Sequence, residues 1–152
     1  MTPRLPDSCS FDQAALAEPL SVLLHASRRA SLAKGQSVLV FGVGAIGLLA
    51  CALAKSLGAR KVVAIDINQA RLAFACEEGF AEQTHCLPMA ERPKTSDEAL
   101  QRAKDNAAAA LKFFSEDDGF DVVFECTGAE PCIQMAIHVR PFDFFLGAIA
   151  EC

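Results

Sequence analysis

Three glycines, Gly42, Gly44 and Gly47, fall within six residues, and a carboxylate, Asp66, follows 19 residues after the last of them. Each glycine has a job that a side chain would obstruct. Gly42 permits a tight turn out of a strand, Gly44 lets backbone approach a diphosphate with no Cβ between, and Gly47 lets a helix pack closely on the strand. A helix opening behind such a loop offers unbonded N–H groups and the positive end of its dipole to phosphate oxygens. An acid at the distance of Asp66 can accept hydrogen bonds from ribose hydroxyls. The chemistry this constellation suits is recognition of a dinucleotide, with NAD expected over NADP because Asp66 would repel the additional phosphate. A Rossmann-like domain for another nucleotide-like ligand, S-adenosylmethionine or FAD, remains an alternative on these residues alone.

The flanking segments are what must position that loop. Residues 38–41 are wholly apolar and rich in β-branched side chains, as in a strand buried on both faces of a parallel sheet. Residues 48–57 suit a helix with Gly58 at its C-terminal end, and residues 61–65 form a second apolar run that ends at Asp66. Further on, residues 68–78 read as a helix closed by Gly79, and residues 82–87 as a short strand. Residues 96–114 read as a helix capped by Thr95 and Glu98, with Ala108, Leu111 and Phe114 on its inner face. A buried strand over 120–128 and a helix over 130–139 complete the alternation. Strands alternating with helices predict an α/β fold, a Rossmann-like doubly wound parallel sheet with right-handed crossovers. The third long strand should lie on the other side of the first, so that residues 126–128 reach the crevice where the strand order reverses.

Ahead of this region, Ser10 and Gln13 form a capping box for a short helix that Pro19 interrupts, and a helix resumes over 20–30. Glu18 then stands at the break, as a solvated loop residue or as a group held near a site. His25 reads as a packed residue rather than a ligand, and His85 and Cys86 as structural. The charged run 115–119 reads as a solvated turn. Arg71 could point at a ribose beside Asp66 or face solvent.

Composition bounds the function classes. A chain of 152 residues, 52% hydrophobic and 22% charged, can bury a core and is not a disordered segment. A net charge of −5 argues against a nucleic-acid partner. Residues 36–54 carry no charge, but three glycines and a β-branched onset argue against a membrane-spanning helix. No apolar signal region follows the start, and the seven cysteines form no CxxC pair, so reduced thiols in a cytoplasmic protein are expected.

Four segments together carry a resemblance: residues 5–30, with the motif EPLSV; 38–59, with GVGAIG; 62–72, with Asp66 and Arg71; and 120–137, with ECTGAE. They resemble the cofactor domain of zinc-dependent medium-chain alcohol dehydrogenases, most closely the sorbitol, xylitol and arabinitol dehydrogenase branch. The resemblance implies that Gly42, Gly44 and Gly47 form the pyrophosphate loop and that Ile46 is its cofactor-contacting residue, that Asp66 and Arg71 hold the adenine ribose, and that Thr127 lines the cofactor cleft. It implies that Val22 lies near the nicotinamide and that Glu18 derives from the glutamate beside the family's catalytic zinc.

The resemblance also sets limits. The family's other zinc ligands have no counterpart here, so zinc is not expected to bind this chain and no catalytic residue is assigned. Residues 1–30 are expected to be a helical lead-in and 31–152 an NAD-binding domain that is incomplete after residue 141, where the family's fifth and sixth strands would follow. A shortened fifth strand over 144–150 would leave an apolar edge open to self-association. Two functions follow: an NAD-binding oxidoreductase domain without turnover of its own, or a non-catalytic, self-associating or regulatory interaction module that pairs with a copy of itself or with a full-length relative.

Overall fold

The computed structural model describes residues 4–89 and 93–140. Two helices lead in, α1 (Phe11–Ala15) and α2 (Ala17–Arg29). Strands and helices then alternate: β1 (Ser37–Phe41), α3 (Ala45–Ser56), β2 (Lys61–Asp66), α4 (Gln69–Glu77), β3 (Gln83–Cys86), α5 (Ser96–Phe114), β4 (Val122–Glu125) and α6 (Glu130–His138). The four strands are parallel in the order β3-β2-β1-β4. The sequence therefore moves outward from β1 to β3, then returns through α5 to place β4 on the opposite flank of β1. This is the expected doubly wound, Rossmann-like sheet.

The period-two side-chain alternation of a strand divides the core between the two faces. Leu39, Phe41, Val63, Ile65 and Val123 pack on α5 and α6, against Ala103, Ala107, Ala110, Phe114 and Met135. Val38, Val40, Val62, Val122 and Phe124 point the other way, onto Leu23 and Ala26 of α2 and Ala50, Cys51 and Ala54 of α3. Burying a side chain such as Leu39 or Val63 stabilises by about 1.5–3 kcal/mol, so these two layers hold the strand ends in place.

Local structure differs from the sequence expectations in five places. Pro19 does not interrupt a helix; the break falls at Leu16, and Pro19 sits in the first turn of α2, where no intrahelical N–H bond is lost. Glu18 is therefore a helical residue of that same turn. His25 is exposed rather than packed. The inner face of α5 is Ala103, Ala107, Ala110 and Phe114, with Leu111 packed against it as expected, but Ala108 faces outward. Thr95 caps the Glu98 N–H at 3.2 Å, but the Glu98 carboxylate turns to the Lys94 N–H at 2.8 Å, so that capping box is only half formed. The box of Ser10 and Gln13 is complete. The expected strand over 144–150 and its apolar edge lie outside the described residues.

The fifth difference has electrostatic weight. Glu116, placed by sequence in a solvated turn, is buried. Left-handed Ser115 ends α5 and folds the next residue back toward the start of β2. Arg60 grips the Glu116 carboxylate with both terminal nitrogens, at 3.0 and 2.8 Å, and Lys61 Nζ lies 3.3 Å from it. Burial alone would push the Glu116 carboxyl up, but the hydrogen bonds from Arg60 and Lys61 outweigh it and hold the group below its ordinary value of 4.5. The folded chain thus keeps this proton off where the unfolded chain binds it. The stabilisation is complete above about pH 4.5 and fades as pH falls through the lowered folded value. Glu116→Gln is expected to cost about 1 kcal/mol at pH 7. In urea titrations the gap from the parent chain should close as pH drops below 4.5; a gap independent of pH would contradict the ion-pair account.

Candidate nucleotide site at the glycine loop

β1 ends at Phe41, and Gly42 turns the chain with φ +84°, a left-handed conformation that favours glycine. The turn is pinned from both sides: the Gly42 N–H donates to the Ile65 carbonyl at 2.7 Å, and the Cys126 N–H donates to the Phe41 carbonyl at 2.9 Å. The three glycines then differ as their spacing implied. A Cβ on Gly47 would lie 1.7 Å from the Gly42 carbonyl oxygen, so only glycine lets α3 come this close to the strand end. A Cβ on Gly44 would meet nothing within 4 Å. Gly44 also occupies the N-cap position of α3, and no side chain caps that helix. The first-turn amides of α3 therefore face outward behind a bare backbone surface, an arrangement suited to an anion.

Asp66 ends β2 and is 9% exposed. Its Oδ2 accepts from the Val43 N–H at 2.8 Å, and its Oδ1 accepts from the Asn68 N–H at 2.9 Å. One carboxylate thus ties the glycine loop to the turn that opens α4. Each oxygen retains a further lone pair for a hydroxyl donor. Asn68 in turn caps α4, accepting from the Ala70 and Arg71 N–H groups at 3.0 and 3.1 Å.

Above these bonds lies a cleft of about 570 Å³, lined by Val43, Gly44, Ala45 and Leu48 on one side and by Asn68, Ala70, Arg71 and Phe74 on the other. Of the residues singled out by sequence, Gly44 and Arg71 line this cleft, and Asp66 bonds to two of its wall residues. Ile46 is half-buried and packs on the α2–α3 face of the sheet. Thr127 lies across β1, where a Cβ on Gly42 would meet its methyl carbon at 2.6 Å. Val22 is half-buried on α2. Val43, Asn68 and Phe74 were not singled out by sequence reasoning; the signal that could have found Asn68 is its place directly ahead of a helix, where Asn serves as a cap.

Glu18 is exposed on the first turn of α2. Among the described residues no group of three or more His, Cys, Asp or Glu side chains could hold a metal ion. The residues present do not fit a zinc centre of three protein ligands. The six described cysteines are free thiols. Burial pushes the Cys51 thiol up to about 12, and Lys55 offsets this only slightly. Among the described residues no helix is long and apolar enough to cross a membrane.

A parallel sheet with its strand order reversing at β1, a glycine loop at that point and an uncapped helix behind it define a Rossmann-like nucleotide-binding fold. The profile of the family described as "Zinc-binding dehydrogenase" matches residues 45–141. The "Probable D-xylulose reductase A" of Aspergillus fumigatus is 43% identical over 139 residues, which is 91% of this chain and 36% of that protein. Two solved structures share the fold at similar coverage. Galactitol-1-phosphate dehydrogenase from Escherichia coli has a TM-score of 0.66 at 29% identity over 90% of this chain and 35% of its own. The 2R,3R-butanediol dehydrogenase from Bacillus subtilis has a TM-score of 0.62 at 32% identity, with coverage of 90% and 35%. The chain belongs to the zinc-binding dehydrogenase family, and its fold is that of the family's cofactor-binding part. It spans about a third of the length of the curated relatives it matches.

The unequal surroundings of the glycines give a direct test. Gly47→Ala should destabilise the chain by about 3 kcal/mol, because backbone must shift to admit the methyl. Gly44→Ala should change stability by no more than about 1 kcal/mol, the difference between two N-cap residues. Chemical denaturation of both variants decides; equal losses would mean that α3 does not rest on Gly47.

Proposed function

We propose that the chain is the NAD-binding part of an oxidoreductase of the polyol dehydrogenase kind, and that it does not turn over an alcohol by itself. The observation that carries this is the open backbone face at Gly44, beside uncapped α3 and next to the cleft that Arg71 and Asn68 line. A diphosphate there would meet first-turn amides with no Cβ in the way. The attached adenosine would extend toward α4, with Asp66 accepting from its ribose hydroxyls and the Arg71 guanidinium beside it. Gly42 and Gly47 would shape the loop, and Ile46 and Thr127 would border the path of the remaining half. Bound NAD would supply the hydride acceptor for oxidation of an alcohol to a ketone.

Polyols enter this reading through the relatives, one printed as a xylulose reductase and another as a galactitol-1-phosphate dehydrogenase. The lack of turnover follows from Glu18. In the resemblance it accompanies a zinc centre, yet among the described residues no group of three or more ligating side chains forms, and one carboxylate does not hold zinc tightly.

A carboxylate at the ribose favours NAD over NADP, since a charge-assisted hydrogen bond contributes about 1.5–3 kcal/mol and a phosphate placed there would be repelled. Calorimetric titration should show heat with NAD and a weaker response with NADP. Absence of any heat with millimolar NAD would remove the reading. Asp66→Ser should narrow the preference at least tenfold; an unchanged preference would show that Asp66 serves only to hold Val43 and Asn68. Sorbitol or xylitol oxidation by the chain with NAD and added zinc would overturn the claim that it lacks turnover.

A further inference from the structure

A second buried carboxylate sits at the carboxyl ends of the strands. Glu125, the last residue of β4, is 3% exposed. Its Oε1 accepts from the Thr127 N–H at 2.9 Å and from the Thr127 hydroxyl, and its Oε2 accepts from the Gly128 N–H at 3.0 Å. The Thr127 hydroxyl itself accepts from the Ala129 N–H at 3.0 Å. A hydroxyl has one proton, and this one is committed to Glu125. What Thr127 presents to the glycine loop is therefore its methyl, at the spot where Gly42 lacks a Cβ. A chain of contacts runs from the Glu125 carboxylate through Thr127 to the turn at Gly42. It lies on the flank of β1 opposite the cleft that α4 lines.

We propose that Glu125 is a positioning residue for the dinucleotide: through Thr127 it fixes the loop between β4 and α6 against the glycine loop, and so shapes the side of the crevice that takes the half of the ligand beyond the diphosphate. This inference rests on the dinucleotide reading given above. Charge-assisted hydrogen bonds to two backbone amides and one hydroxyl hold a loop in a single conformation more firmly than neutral ones. A glutamine at this position would turn an NH2 group toward a donor it cannot bond, either the Thr127 or the Gly128 N–H. The loop would have to move to relieve that opposition, and Thr127 would move with it.

The two flanks can be separated by ligand. AMP reaches only the α4 cleft and the glycine loop, whereas NAD spans both sides of β1. Glu125→Gln and Thr127→Val, titrated calorimetrically, should each weaken NAD at least fivefold while AMP stays within twofold of the parent chain. Thr127 is exposed, so its variant reports even where Glu125→Gln folds poorly. The double variant should be no weaker than the worse single one, because both cut the same link. Equal losses for AMP and NAD would reduce Glu125 to a structural role and overturn the inference, as would unchanged NAD affinity in both variants. A parent chain that binds neither ligand would remove the dinucleotide reading itself, and this inference with it.

Discussion

The backbone of α3 rests against the backbone of the turn it follows. A single methyl on Gly47 would collide with the Gly42 carbonyl oxygen, so the first turn of the helix touches the end of the central strand with nothing between. The same buried stripe of α3 continues through Ala50, Cys51 and Ala54, all of them small, which keeps the helix close to the sheet along its length. From that close seat follow the direction of the helix, the exposure of its opening amides and the bare surface at Gly44. A helix held farther out by larger side chains would not bring its dipole to the strand ends.

Two carboxylates bracket this seat, one on each neighbour of β1. Asp66 ends β2 and Glu125 ends β4, and each directs its lone pairs at backbone amides of the adjoining loop. Buried charges persist only when donors surround them, and here the donors are the loops that must be kept in place. The chain as a whole is negative, at −5, so under the proposed reading any field favouring an anion would be local, from the amides of α3 and the Arg71 guanidinium rather than from a basic surface.

Much of this was legible in residue order. The apolar runs at 38–41 and 61–65 and the glycine spacing fixed β1, α3 and β2, because buried parallel strands and close backbone contacts leave few alternatives in residue type. Gly79 and Thr95 marked helix ends correctly for the same reason: caps are local chemistry. What escaped was non-local. Glu116 reads as one acid among several in a turn, and only the fold brings Arg60 and Lys61 to it from far along the chain. The outward phase of Ala108 was missed because an alanine run carries no periodic signal of its own. Pro19 was read as a breaker, although the first turn of a helix tolerates it. The bonds of Asp66 to Val43 and of Glu125 to Thr127 depend on where strand ends fall in space, which spacing alone does not specify.

The raised thiol of Cys51 has one last consequence. It lies fully enclosed between α3 and the sheet, and its proton is held so tightly that almost no thiolate exists near neutrality. Alkylating reagents would consume exposed Cys76 first and leave this sulfur alone until α3 lifts from the strands beneath it. Its labelling rate would then be a clock for that lifting, set by the opening of the layer rather than by reagent chemistry.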